Sequence, residues 1–89
     1  MNRYYPNRGS GGLQALIREA RFRPVRIAHG YDMGQVDELL DRLVEELDAG
    51  RPVRPLVKDA TFGTTRWREG YHQTDVDTLL TEVTRRAEA

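Results

Sequence analysis

The residue types that most often perform chemistry are few in this chain, and they do not combine into a site. The two histidines, His29 and His72, stand at non-equivalent positions of an internal repeat, and the 89 residues include no cysteine. Nucleophilic catalysis and thiolate metal binding both require such groups in fixed combinations. We therefore expect a chain that is not an enzyme and that uses no cofactor, no metal ion and no small-molecule substrate.

Carboxylates are the most clustered polar groups. Residues 31–50 contain seven acidic residues and one arginine. The acidic residues that look clustered lie on or next to a predicted amphipathic helix: Asp32, Asp37, Asp41, Glu45 and Glu46. A cation site needs ligands that converge from several directions, whereas acidic residues spaced in this way usually form a solvated helix face. We interpret them as a solvated face.

The charge of the chain is zero overall but unevenly distributed. Residues 1–30 contain six arginines and one glutamate, and residues 51–70 contain five basic and two acidic residues. Each half of the chain is therefore basic at its start and acidic at its end. Two interpretations remain open. The charges form ordinary solvated faces, or the basic end of a polarised module meets anionic lipid or an acidic partner.

A pattern of the form F-x₃-R-x₃-GY-x₄-VD-x-LL occurs twice, offset by forty positions, from Phe22 and from Phe62. A single unit of about 37 residues without disulfides or metal buries too little apolar surface to fold alone, so we expect the two copies to share a core. The predicted organisation is a flexible tail at residues 1–12, a first repeat at 13–49, a connector at 50–55 and a second repeat at 56–89.

Hydrophobic spacing predicts the helices of the first copy. Apolar residues at helical intervals predict a short helix over residues 13–20 and a longer one over residues 33–49. Asp32 is a suitable N-cap with Gln35 three residues later, and Gly50 suits the position after the helix. The link between the two helices contains Pro24 and should be extended or strand-like.

The second copy should form the same elements less firmly. His72 replaces the capping Asp32, and Thr84 and Ala87 replace apolar residues of the first helix stripe. We expect its long helix to be the weaker one and to fray near its C-terminus. The fold class predicted for the whole chain is mainly α. Two helix–extended link–helix units pack as a pseudo-twofold domain, with short β segments in the links.

The helix stripes and the link aromatics supply the expected core. We expect the core, or an interface between chains, to be formed by Phe22, Tyr31, Val36, Leu39, Leu40, Leu43, Val44, Leu47, Phe62, Tyr71, Val76, Leu79, Leu80 and Val83. Asp37 and Asp77, near the helix N-termini, are expected to form ion pairs with Arg26 and Arg66 of the preceding links.

Each basic link also carries a large apolar residue near its end, Ile27 in the first copy and Trp67 in the second. One interpretation packs these side chains on the helix pair. The other exposes them as an apolar tip that could enter a membrane interface or the groove of a partner. In that case the interacting residues are the two apolar side chains and the arginines beside them, Arg23, Arg26, Arg66 and Arg68.

The repeated pattern resembles the N-terminal motif of the bacterial DivIVA-domain family, in which a Phe and a basic link lead through Gly-Tyr-Asp into a helix. The first copy has Gly30-Tyr31-Asp32 followed by Val36-Asp37 and Leu39-Leu40. The second copy keeps Gly70-Tyr71, with His72 where the family has Asp. Arginine-rich, repeated versions of the unit resemble those of actinobacteria.

The resemblance implies a non-enzymatic scaffold at division sites or cell poles, peripheral to an anionic membrane, which self-associates and recruits protein partners. The long C-terminal coiled coil of the family has no counterpart here, and no aromatic residue stands immediately before either Gly-Tyr. A homodimer through the Leu39–Leu47 stripe is a further expectation. With no apolar stretch that could span a bilayer and no secretory signal, we expect a cytoplasmic location.

A function of a different class is the alternative. The arginine-rich first part of the chain could bind nucleic acid through Arg3, Arg8, Arg21, Arg23 and Arg26. The zero net charge argues against it, because sequence-independent nucleic-acid binding depends on neutralising phosphates with a basic surface.

Overall fold

The computed structural model describes residues 11–66 and 68–88. Helices make up 58% of it and short antiparallel strands connect them, which confirms a mainly α fold with short β segments in the links. Most of the predicted tail lies outside the described residues. In chain order the elements are α1 (Gly11–Arg18), β1 (Pro24–Val25), β2 (Gly30–Tyr31), α2 (Met33–Asp48), α3 (Arg54–Asp59), β3 (Thr64–Thr65), β4 (Gly70–Tyr71) and α4 (Gln73–Ala87).

Helix α2 begins and ends as predicted. The backbone N–H of Gln35 donates to Asp32 Oδ1 at 3.0 Å, which caps the first turn. Gly50 follows the helix with φ of 73°, and the backbone N–H of Arg51 donates to the Glu46 carbonyl at 2.8 Å. This left-handed turn satisfies a carbonyl that the helix end leaves without a partner, and it favours glycine.

Helix α4 lacks a side-chain cap, as predicted, because His72 stands at its N-cap position. The helix nevertheless continues to Ala87, although Val83 is its last buried side chain. Near this end Glu82 forms ion pairs with Arg85 and Arg86 of the last turn at 2.5 Å. Fraying of this end stays a prediction.

The strands join one copy of the repeat to the other. In the sheet order β1-β4-β2-β3, every antiparallel pair combines a strand of the first copy with a strand of the second. Two further backbone bonds of 2.8 Å extend the pairing, from the His72 N–H to the Arg23 carbonyl and from the Asp32 N–H to the Gly63 carbonyl. The link of each copy therefore finds its backbone partners in the other copy.

Gly30 and Gly70 lie where the two links cross. A Cβ added to Gly30 would lie 2.9 Å from the Tyr71 carbonyl oxygen, and one added to Gly70 would lie 2.8 Å from the Tyr31 carbonyl oxygen. These neighbours are backbone atoms, which cannot move aside as a flexible side chain can. The crossing therefore requires glycine in both copies, on steric grounds rather than for a special backbone angle.

Apolar residues of both copies form one core. Helix α1 packs against both α2 and α4, and α3 packs against α4. The connector contributes Val53, which is 2% exposed. The buried residues are Ile17, Val36, Leu39, Leu43, Val44, Val53, Val76, Leu79, Leu80 and Val83, and the expected core residues that pack partly buried against them are Phe22, Tyr31, Leu40, Leu47, Phe62 and Tyr71.

Replacing either crossing glycine should destabilise the chain severely. We expect Gly30→Ala and Gly70→Ala each to lower the free energy of unfolding by about 1–3 kcal/mol or more, because the methyl group overlaps the backbone of the other link. Urea denaturation followed by circular dichroism measures the change. Gly34→Ala is the matched control, since its Cβ meets only Asp32 Oδ1 at 3.4 Å and alanine favours the helix. Equal stability of Gly30→Ala and Gly34→Ala would contradict the crossing.

Candidate interaction surfaces

The first link presents an apolar side chain to solvent at its tip. Ile27 lies between β1 and β2 and is 91% exposed. Among the described residues it is the one large hydrophobic side chain that is exposed to solvent. Arg26 beside it has a side chain that is 77% exposed. Of the two interpretations of Ile27, the structure therefore favours the exposed tip. Trp67, the equivalent residue of the second copy, lies outside the described residues.

Arginines of the links pair with carboxylates of the opposite copy. Arg23 makes a two-pronged contact with Asp75, with Nη2 2.7 Å from Oδ1 and Nε 3.0 Å from Oδ2, and its backbone N–H donates to Oδ2 at 2.9 Å. Arg68 Nη2 donates to Asp32 Oδ2 at 2.7 Å. These pairs attach the links to the N-termini of α4 and α2 and offset part of the positive charge that the sequence places there.

These contacts also stabilise the charged form of both carboxylates. The Arg23 guanidinium hydrogen bond, followed by the Arg23 backbone N–H, holds the pKa of Asp75 well below its ordinary value. The Gln35 backbone N–H, followed by Arg68, lowers the pKa of Asp32. Each aspartate stands at the start of a helix, where the helix dipole also favours negative charge.

Two tyrosines bind the repeated aspartates of the pattern reciprocally. Tyr31 Oη donates to Asp77 Oδ1, and Tyr71 Oη donates to Asp37 Oδ1, both at 2.8 Å. Burial first, and then the bond to Asp37, raises the pKa of Tyr71 to about 12. The predicted pairing of Asp37 with Arg26 is wrong: Asp37 bonds a tyrosine of the other copy.

The Arg26 side chain instead lies near the second link. Its Nη2 is 3.9 Å from Glu69 Oε1 in the second link, which is a loose pair between exposed groups. A contact of this kind contributes little, because exposed ions remain well solvated and each side chain loses conformational freedom. Arg26 therefore remains available to exchange Glu69 for another carboxylate.

Aromatic contacts fix the base of each link. The Phe22 ring lies 4.9 Å from that of Tyr71, and the Phe62 ring lies 4.9 Å from that of Tyr31, both in tilted orientations. Tilted pairs at this distance suit the quadrupoles of the rings. Each phenylalanine thus packs on the tyrosine that donates to the aspartate of its own copy.

Two grooves beside these aromatic pairs have equivalent linings. The first, which we call the charged groove, has a volume of about 760 Å³, and the second, which we call the neutral groove, has a volume of about 390 Å³. The floor of the charged groove is formed by Ala20, Phe22, Leu40 and Tyr71. The floor of the neutral groove is formed by the equivalent residues Ala60, Phe62, Leu80 and Tyr31.

The rims of the two grooves differ in charge. The charged groove has Arg18 and Arg21 on one side and Asp37, Asp41 and Glu45 of α2 on the other. In the neutral groove Thr61 and Thr81 occupy the positions that correspond to Arg21 and Asp41, and Asp77, the equivalent of Asp37, is the charged residue of its lining. The duplication therefore contains two grooves with the same apolar floor and different rims.

The histidines do not take part in either groove. His29 is exposed in the first tip, and His72 Nδ1 lies 3.8 Å from Asp75 Oδ1 at the start of α4. Within residues 11–66 and 68–88, no three His, Asp or Glu side chains converge as metal ligands would.

Sequence reasoning did not identify Asp75 or the charged groove. Asp75 had no signal, because the equivalent residue of the first copy is Gln35, whose side chain accepts a hydrogen bond from the Gly63 backbone at 2.6 Å instead. The groove rims had a signal: Arg21 and Asp41 are charged where the second copy has threonine.

The Arg23–Asp75 pair should make stability depend on pH. Because the pKa of Asp75 is lower in the folded chain than in the unfolded one, the pair contributes fully above about pH 4, and its contribution declines as the pH falls below that value. Asp75→Asn should therefore lower the urea midpoint at pH 7 by an amount that shrinks toward pH 2. Asp41→Asn is the control, because the Asp41 carboxylate accepts no hydrogen bond in the described part of the chain. A difference for Asp75→Asn that is constant over this range would contradict the assignment.

No helix within the described residues is long and apolar enough to cross a membrane. Comparison of the chain with models of protein families, with curated proteins and with solved structures finds no match.

Proposed function

We propose that this chain is a non-enzymatic interaction module with a DivIVA-like organisation, a cytoplasmic scaffold that acts at sites of cell division or polarity. The observation that carries the proposal is the exposed apolar tip, with Ile27 91% in water beside Arg26. Burying such a side chain on a partner is worth about 1.5–3 kcal/mol. Folding of this chain does not use that energy, so it is available for binding.

The second part of the proposal is that the two repeats form a pseudo-twofold domain, in which the second copy acts as the other subunit of a dimer. The reciprocal bonds of Tyr31 with Asp77 and of Tyr71 with Asp37 support it. The strand pairs between copies and the equivalent grooves support it as well.

Pseudo-twofold symmetry predicts equal effects of equivalent substitutions. Tyr31→Phe and Tyr71→Phe should each lower the free energy of unfolding by about 1 kcal/mol, the usual value of one such hydrogen bond. Urea denaturation of both variants at the same pH measures the two values. A large effect of one substitution and none of the other would contradict the symmetry.

An anionic membrane is the proposed target of the tip, besides protein partners. An isoleucine beside arginines suits the interface between lipid headgroups and acyl chains. Trp67 stands at the equivalent sequence position, and its aromatic side chain suits the same interface. The cross-copy ion pairs of Arg23 and Arg68 reduce the free positive charge, so the proposed binding is weak and sensitive to salt.

Vesicle sedimentation tests the membrane target. We expect the chain to sediment with vesicles that contain anionic lipid at low ionic strength, and to be released as salt rises. Ile27→Asp should reduce sedimentation at least about tenfold, since it removes the apolar contact and adds a negative charge. Thr78→Asp adds the same charge on the exposed face of α4 and is the matched control. Absence of sedimentation at low salt would remove the membrane target and leave only protein partners.

Nucleic-acid binding remains the alternative function. Arg23 and Arg26, on which it depends, lie against Asp75 and Glu69, and Arg21 donates to two neighbouring carbonyls at 3.1 Å. Arg3 and Arg8 lie outside the described residues. A gel shift at low salt with duplex and single-stranded probes distinguishes this function from the proposed one.

A further inference from the structure

The charged groove has an apolar floor that the chain leaves partly open. Leu40 of its floor is half-buried, whereas the equivalent Leu80 of the neutral groove is only 7% exposed. The charged groove is also about twice as large, at about 760 Å³ against about 390 Å³. The first copy therefore retains an apolar recess that the second copy has largely closed.

The two rims of the charged groove do not neutralise each other. Among the described residues no ion pair joins Arg18 or Arg21 to the α2 carboxylates, and Arg21 donates instead to the carbonyls of Glu19 and Ala20. Asp41 accepts no described hydrogen bond. A ligand that placed an apolar side chain on the floor and a cation against α2 would satisfy both features of the groove.

The described surface of the chain offers one segment with this chemistry, the first tip. Ile27 is exposed and apolar, and Arg26 beside it is held only by a 3.9 Å contact with Glu69. Docking of the tip on another molecule would move the Arg26 guanidinium from Glu69 to Asp41 of that molecule. Arg26 would keep an exposed carboxylate as its partner, and the new partner would lie next to a buried apolar contact. The charge and polarity of the tip thus complement those of the charged groove.

We propose that the charged groove binds the Arg26–Ile27 tip of another molecule of this chain, with Ile27 on Leu40 and Phe22 and with Arg26 against Asp41. This inference rests on the proposed function in one respect, that the tip is the interacting end. The tip and the groove are different surfaces, so the contact is heterologous and can repeat from molecule to molecule. The neutral groove has no carboxylate at the position of Asp41 and takes no part.

Sedimentation velocity of the full chain over a range of concentrations at low salt tests the proposal. The unmodified chain should associate as concentration rises, and added salt should weaken the association. Ile27→Asp and Asp41→Lys should each weaken it at least about tenfold, one through the tip and the other through the groove. Thr81→Lys is the matched control, because it introduces the same side chain at the equivalent position of the neutral groove, and it should associate like the unmodified chain.

A charge exchange makes the test independent of any loss of stability. Arg26→Glu and Asp41→Lys should each associate more weakly alone, yet a mixture of the two should form a heterotypic complex. In the mixture the acidic tip of one variant meets the basic rim of the other, and the unmodified tip of Asp41→Lys meets the unmodified groove of Arg26→Glu. Circular dichroism of each variant verifies that it is folded. Failure of the mixture to associate, with both variants folded, overturns the proposal.

The remaining outcomes separate this inference from the proposed function. If the unmodified chain stays monomeric at every concentration but binds anionic vesicles through Ile27, the inference fails and the proposed function stands. If Thr81→Lys weakens association as much as Asp41→Lys, the charged groove is not the docking site and the inference also fails. If the chain self-associates and binds anionic vesicles but neither process depends on Ile27, the tip is not the interacting end and both proposals fail.

Discussion

Where the two links cross, the Gly30 and Gly70 backbones approach so closely that neither position has room for a side chain. This approach allows each link to pair with the strand of the other copy, and it brings Tyr31 and Tyr71 to the aspartates that they bind. The core then contains residues of both copies. A unit of about 37 residues that buries too little surface alone thus becomes part of a domain about twice as large.

Around this crossing the two copies differ mainly in polar residues. Asp32 caps α2 and also binds Arg68, whereas His72 at the equivalent position gives α4 no side-chain cap. Asp75 binds Arg23, whereas the equivalent Gln35 binds a backbone N–H. The ion pairs between copies are therefore not reciprocal, although the tyrosine bonds and aromatic contacts are. This divergence leaves the frame intact because apolar packing and backbone pairing, rather than exposed ion pairs, contribute most to stability.

The same divergence separates the surfaces of the two copies. Apart from Tyr71, the residues of the charged groove belong to the first copy, as does the exposed Ile27. In the neutral groove Thr61 and Thr81 replace Arg21 and Asp41. In the proposed scaffold the second copy would mainly stabilise the fold, and the first copy would carry the interacting residues. Pairing of Arg23 and Arg68 with carboxylates leaves the apolar side chain, rather than a dense positive surface, as the most distinctive feature of the tip.

The sequence by itself determined the elements. Helical spacing of apolar residues predicted α1, α2 and α4, and Asp32 and Gly50 marked the ends of α2, because these signals act over a few neighbouring residues. The duplicated pattern also predicted that the copies share a core. Only the tertiary structure decided the partners: that Asp37 binds Tyr71 rather than Arg26, that Arg23 binds Asp75, and that Val53 of the connector is buried. These contacts join residues far apart in the chain, and residue spacing does not reveal that the two links cross. The difference between the two grooves likewise depends on which side chains the crossing brings together.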